Sequence, residues 1–525
     1  MKASKPRADK RGAAQSRQRI ALALVTSALA AFCSTGGLFA VAPSFQTGLL
    51  AGIAAGLIAP SWLTAALTAA IAAGSAVLLG PQPLWNADPS ATARVTAFTL
   101  AVVAAAVVAA GARLLVEKRG MWPKVLVWVA IAVIVGNMWV TTFHVNGRGT
   151  LETSTGTVLP SFWAQLTPGN GNFPSRSIDS DDVSFYRIAQ HVRQGGEYYR
   201  TYILEFYPTY ENILRGGTQW RGVGSITEFR LPTLAWFWAL LPSGPAIVVA
   251  FLALASVGVL CVVPITGGVA KTPLVLPACT AIAAYFVYIA TSVFVFAQEP
   301  WAVVFALASL AAFALSVRSE RWRLFVVASV AFAVAGLLVR ETLIFLLLAG
   351  IASAFFDREH RRFKLAAWLS GAGVFALAYW MHFRAVGPYF SHTPQPSQFT
   401  FGGLANLVSG LTFSTDLLGG AGLLAFALPL LGLLGAFLLP NRSMRVFALI
   451  ATVGPLLTFL ILANHARTAL LSGPGINYWG ATVVPLLYAL IPVGIALLPG
   501  GAVGSLGGLP DRWTRGAAKR GSATA

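Results

Sequence analysis

The sequence predicts an all-α polytopic membrane protein, and three observations carry that prediction. Only 10% of the 525 residues are charged, 56% are hydrophobic and the mean hydropathy is +0.71, more apolar surface than a water-soluble domain can cover. Apolar runs of about twenty residues recur along the chain, each long enough to cross a hydrocarbon core of about 30 Å as a helix with its backbone hydrogen bonds satisfied internally. All eight lysines (Lys2, Lys5, Lys10, Lys118, Lys124, Lys271, Lys364, Lys519) fall at the termini or in short loops, which the positive-inside rule places in the cytoplasm.

The elements follow in order. A basic tail, residues 1–19, precedes a first span at 20–42. That run resembles a secretory or lipoprotein signal ending near Cys33, but Phe32 is too bulky for the residue before a cleavage site, so a retained span is expected. The apolar stretch 47–80 overshoots one crossing, and Pro60 with Ser61 divides it into two short passes. Spans at 92–116 and 125–143 then flank Glu117, Lys118 and Arg119 on the inside and complete an amino-terminal transmembrane module, 20–143. The hydrophilic stretch 144–230 therefore emerges outside.

A second transmembrane module covers 231–498. Spans at 244–266 and 274–297 flank Lys271, and 300–317 returns to Arg318, Arg321 and Arg323. The chain rises through 324–339, turns at Arg340 and Glu341, and descends to Asp357, Arg358, Arg361, Arg362 and Lys364. Spans at 365–383, 418–439, 446–463 and 481–498 follow, with Arg384 and His392 in one external loop, Asn464 to Trp479 in another, and Arg442 and Arg445 inside. The total is about fourteen spans with both termini, including the tail 499–525, in the cytoplasm of a multi-pass cell-membrane protein.

Several classes drop out. Cys33, Cys261 and Cys279 all lie within apolar runs, leaving neither a disulfide framework nor a zinc-binding CxxC. The formal charge of +19 is scattered between spans, so no nucleic-acid partner is expected. There is no Walker A, HExxH, GxSxG or dinucleotide fingerprint, and no short-period solenoid repeat. The small residues between 47 and 110 favour close helix packing.

Chemistry is expected in the external loop, because Glu152, Asp179, Asp181, Asp182, Glu197, Glu205, Glu211 and Glu228, eight of the 18 acids, fall there. Asp181 and Asp182 precede a helical pattern of Phe185, Ile188 and Val192. They read as a helix cap with a dipole partner, or as a general base beside an acceptor hydroxyl delivered from the bilayer. Paired acids can also hold a divalent metal, although two carboxylates alone are a thin ligand set.

The segment DDVSFYRIAQHVRQGGEYY from Asp181 resembles the acidic-motif segment of GT-C glycosyltransferases, particularly the lipid A aminoarabinose transferases and protein O-mannosyltransferases. FRLPTLAWFWALL from Phe229 resembles their re-entry into the membrane, AGLLVRETLIFLLL around Arg340 their Gly-Leu-Leu-Thr-Lys-Gly span, and NYWGATVVPLLYAL from Asn477 their Tyr- and Pro-rich final span. The four segments keep the family order over about residues 178–498, with Asp182 where the family has Glu and Arg340 where it often has Lys. The resemblance implies a GT-C-like helical bundle with a large external loop carrying short helices. It implies inverting transfer of a sugar from a polyprenyl phosphate to a lipid, glycan or protein acceptor of the envelope, with Asp181 or Asp182 as base. The cytoplasmic loops are too short for a soluble nucleotide-sugar site, which also favours a lipid-linked donor.

Other residues carry two readings. Arg340 and Glu341 interrupt a long apolar stretch, as a self-paired turn or as a site where Arg340, with Arg384 and Arg467, binds the donor phosphate. Glu299 reads as a second acid or, preferably, as an interfacial residue. Asp179 and His465 are accessory candidates, the lone histidine carrying little weight. Tyr198, Tyr199, Tyr202, Tyr207, Tyr210 and Trp220 suit sugar stacking or an interfacial belt. The rival classes are a transporter or lipid flippase, which would spread charges along a cavity, and an envelope-assembly scaffold, which would explain the extra amino-terminal spans but not the motif order.

Overall fold

The computed structural model describes residues 7–35, 43–79, 91–118, 122–147, 150–152, 158–160, 181–206, 229–267, 274–389, 407, 411, 423–460 and 477–496. Five helices precede the hydrophilic loop: α1 (Arg7–Thr35), α2 (Pro43–Ile58), α3 (Trp62–Leu79), α4 (Ala91–Lys118) and α5 (Trp122–Gly147). The break between α2 and α3 falls where Pro60 and Ser61 divide the apolar stretch, and the Ser61 hydroxyl accepts from the Thr64 N–H at 3.3 Å to start α3. Helices α2 and α4 meet along small residues. A Cβ added to Gly52 would stand 2.8 Å from the Ala105 carbonyl oxygen, and one on Gly56 2.7 Å from the Ala112 Cβ. In lipid no hydrophobic force draws two helices together, so this backbone approach supplies the attraction by packing.

The loop contains a hairpin absent from the sequence-based expectation, β1 (Thr150–Glu152) antiparallel to β2 (Val158–Pro160) with Leu151 opposite Leu159. The expected short helices follow: α6 (Asp181–Arg193) and α7 (Tyr198–Phe206). The turn between them needs Gly195, whose φ of +89° strains any L side chain. Glu197 then caps α7, its two oxygens accepting from the N–H groups of Tyr199 (3.1 Å) and Arg200 (2.8 Å), and Arg187 of α6 pairs with Glu205 of α7 at 2.9 Å.

The second bundle comprises α8 (Thr233–Ala239), α9 (Gly244–Leu260), α10 (Val262–Thr266), α11 (Val275–Ala290), α12 (Glu299–Ser316), α13 (Trp322–Val339), α14 (Ile344–Ala354), α15 (Arg361–Val386), α16 (Leu423–Leu438), α17 (Arg442–Phe459) and α18 (Val484–Ala496). Arg193 reaches from α6 to the end of α8, donating to the carbonyls of Ala239 (3.2 Å) and Pro242 (3.0 Å) and to that of Leu241. Helix α6 is thereby clamped to the end of α8. Every residue of α18 is buried, which is why that helix is apolar on all faces. It packs on α16 through Gly432 and Gly435, set against the carbonyls of Leu487 and Leu490, and through Gly494, set against that of Leu431.

Among the described residues seven helices are long and apolar enough to cross a membrane: Val95–Glu117, Pro123–Asn146, Gly244–Thr266, Glu299–Ser316, Trp322–Val339, Arg361–Tyr389 and Arg442–Phe459. Six further apolar helices are shorter, 10–17 residues. Val95 and Val107 on α4, each 66% exposed, with Leu377 and Met381 on α15, present large apolar side chains outward, faces that lipid rather than water would cover. Basic residues between spans also close helix ends. Arg318 donates to the carbonyls of Pro264 (2.7 Å) and Ile265 (3.3 Å) at the end of α10, and burial lowers its pKa to about 10, still cationic at neutral pH. Arg445 does the same for the Leu439 carbonyl after α16 at 2.6 Å.

Candidate functional site

Helix α12 begins at Glu299 with Pro300 next, a position where the missing N–H has no helical partner to lose. The Glu299 side chain is 7% exposed, and its Oε1 lies 2.7 Å from the Nε of Arg340. Arg340 ends α13 in extended conformation (φ −146°, ψ 112°), and a 3₁₀ turn, Glu341–Leu343, leads into α14. Its Nη1 stands 2.9 Å from the Oε1 of Glu341, and the Nη1 of Arg230 stands 3.2 Å from the same oxygen. Two guanidinium groups and two carboxylates therefore balance. Arg340 is 2% exposed, whereas Arg230 and Glu341 are 18% exposed. Ions this deep persist only because each compensates another, and removing one leaves its partner buried and uncompensated.

Aromatic side chains close over this cluster. The Tyr198 hydroxyl of α7 donates to the Arg230 carbonyl at 2.9 Å, and the Tyr199 hydroxyl is hydrogen-bonded to the Nδ1 of His382 on α15 at 2.9 Å. Tyr202 lies 5.0 Å from Phe229 and 4.6 Å from Phe206, ring centre to ring centre. Burial, helped by Glu197, pushes the Tyr199 phenol up to about 12, so it stays protonated at neutral pH. Helix α7 is thus joined to α15, and the site gathers α7, α12, α13, the turn after α13, α15 and the segment before α8.

The structure unites three of the residues singled out from the sequence, Glu299, Arg340 and Glu341. The preferred interfacial reading of Glu299 is corrected: its carboxylate is enclosed and bound to Arg340 instead of lying at the surface. The self-paired turn is present, yet it is part of a larger set, since Arg340 also meets Glu299 and Glu341 also meets Arg230. Arg384 is not brought here. It lies exposed, its guanidinium 5.7 Å from the ring centre of Trp380 on the same helix. Asp181 and Asp182 form the first turn of α6, as the helical pattern requires, with side chains outside the described residues; Asp179, His465 and Arg467 also lie outside them.

Arg230 and His382 are site residues the sequence reading passes over. For His382 a signal existed, an ionisable side chain inside an apolar span. Arg230 gave none, being one arginine among several at the edge of a polar loop. Glu197 and Glu205 are accounted for as a helix cap and an ion-pair partner. Among the described residues no group of three or more His, Cys, Asp or Glu side chains is placed to hold a metal ion. No protein-family model, curated protein or solved structure matches the chain.

Proposed function

We propose that the chain is a GT-C-like glycosyltransferase, moving a sugar with inversion from a polyprenyl phosphate to an envelope acceptor on the outer face of the cell membrane. In this reading the shorter apolar helices and α1 also cross, giving about fourteen spans, cytoplasmic termini and an extracytoplasmic site. The observation that carries it is the convergence of Arg230, Glu299, Arg340, Glu341 and His382 beneath α7. A membrane-edge cluster of ionisable groups roofed by aromatic side chains suits a charged lipid headgroup bearing a sugar. The acidic turn that opens α6 belongs to the same external unit, clamped to α8 by Arg193.

In the mechanism, Asp181 or Asp182 takes the proton of the acceptor hydroxyl, whose oxygen attacks the anomeric carbon as the bond to the lipid phosphate breaks. The guanidinium groups stabilise the charge gathering on the departing phosphate. Arg340, bound between two carboxylates, organises the cluster. The same buried charges also suit a transporter or flippase, which would move lipid without transferring sugar.

The test is transfer by the purified full chain in nanodiscs, using radiolabelled polyprenyl-phosphate sugars and an envelope extract. Asp181→Asn or Asp182→Asn should lower turnover about 100- to 10,000-fold while leaving thermal unfolding unchanged. Near-normal turnover of both variants would make the pair a helix cap and nothing more. In intact cells, Cys at Ser177 should react with an impermeant thiol reagent and Cys at Lys364 should not.

A further inference from the structure

The two arginines of the cluster are unequal. Arg340 is 2% exposed and held by two carboxylates, with Glu299 at 2.7 Å and Glu341 at 2.9 Å. Arg230 is 18% exposed and meets the same Glu341 oxygen at the longer distance of 3.2 Å. One carboxylate oxygen serves both guanidinium groups, an arrangement that leaves the outer pair the weaker. The backbone at Arg230 is fixed: Tyr198 bonds its carbonyl at 2.9 Å, and Phe229 beside it lies 5.0 Å from Tyr202. The cation is thus positioned before any ligand arrives. Nearby, Thr342 Oγ1 is buried with no hydrogen-bond partner among the described residues. Trp236 and Phe237 on α8 and Leu240 just past its end are exposed at 54%, 38% and 83%, an apolar flank on which an acyl or prenyl chain can lie.

We propose that Glu341 is a self-supplied occupant of an anion site centred on Arg230, and that the phosphate of a membrane lipid displaces it there. This rests on the lipid-phosphate donor proposed above and names the residue that reads it, Arg230 in place of Arg340. A phosphate brings more acceptor oxygens and more charge to a guanidinium than one shared carboxylate oxygen does. Arg340 keeps Glu341 as Arg230 lets it go, so no carboxylate is stranded without a cation. The apolar flank selects a lipid over free phosphate.

The experiment measures binding of a polyprenyl monophosphate to the full chain in nanodiscs, with inorganic phosphate as a separate arm and thermal unfolding and sugar transfer recorded on the same preparations. Arg230→Gln should weaken lipid binding about tenfold or more, Arg230→Lys should weaken it less, and Glu341→Gln should tighten it about threefold, because the competitor has lost its charge. If Arg230→Gln does not fold, the Lys and Glu341 variants decide. Weaker binding by Glu341→Gln, unchanged binding by the Arg230 variants, or equal affinity for inorganic phosphate overturns the inference. Sugar transfer by wild type with unchanged binding by Arg230→Gln sinks the inference and leaves the transferase standing. Binding that follows the expected order, with no transfer from any polyprenyl-phosphate sugar, supports the inference and removes the transferase.

Discussion

Buried ion pairs stand at both ends of the α13–α14–α15 unit, and they are built differently. Where α14 gives way to α15, the Nζ of Lys364, 1% exposed, lies 2.6 Å from the Oδ2 of Asp357, whose side chain is 22% exposed. His360 adds a contact to the same carboxylate at 3.3 Å. All three groups lie within eight residues of one another, so the pair forms almost as soon as the turn does. At the other end, Arg230, Glu299, Arg340 and Glu341 come from three separate stretches of chain, and one carboxylate oxygen serves two cations. The local pair closes a turn with water still reaching its acid. In the convergent set Arg340 and Glu299 are enclosed while Arg230 and Glu341 keep 18% exposure, and withdrawing Arg340 leaves Glu299 without a cation in a low dielectric.

That difference sets the scale of five expected outcomes. Arg340→Met strands the Glu299 carboxylate and leaves Glu341 with Arg230, and should destabilise the protein by about 3–5 kcal/mol, read as a large fall in thermal unfolding temperature in detergent; Arg340→Met combined with Glu299→Gln should recover part of it. A wild-type unfolding temperature in the single variant would erase the distinction between the two ends.

Lys364→Met should cost less, about 1–3 kcal/mol, since Asp357 keeps water and His360. The pH dependence sharpens this. Burial alone would raise the Asp357 pKa, but the hydrogen bond and charge of Lys364, with help from His360, outweigh it and hold the carboxyl below its ordinary 3.8. A depressed folded pKa gives stability that is fully present above the unfolded value and lost as pH falls through the folded one. Asp357→Asn should therefore flatten the loss of unfolding temperature between neutral pH and pH of about 3. An unchanged acid slope would contradict the pairing.

At the aromatic end the sign is opposite. Tyr199 has its pKa raised from 10.0 to about 12, so its contribution is complete below the ordinary value and fades as pH climbs through the folded one. Tyr199→Phe should cost about 1 kcal/mol and flatten the alkaline limb, while leaving the acid limb dominated by Asp357 intact. Arg384→Ala should be the mildest, within about 0.5 kcal/mol, because that side chain lies exposed along Trp380; a loss as large as that of Lys364→Met would mean that the exposed face of α15 is covered by a partner.

The sequence by itself determined the helical class, the apolar segments and the division at Pro60 and Ser61, because hydropathy and proline act over one turn to a few turns of chain. It also determined that Asp181 would open a helix and that the small residues between 47 and 110 would pack helices closely, whereas the pairing of α2 with α4 through Gly48, Gly52 and Gly56 came from the structure. It singled out Arg340 and Glu341, for ions in an apolar run are conspicuous before any fold is known. Only the tertiary structure decided that Glu299 is enclosed, that Arg230 and His382 belong with it, and that Arg384 stands apart. Arg230 and Glu341 are 111 residues apart, and Tyr199 and His382 183. Pairings at such separations leave no periodic trace in the chain, because they arise from the angle and depth at which whole helices pack rather than from the order of neighbouring residues.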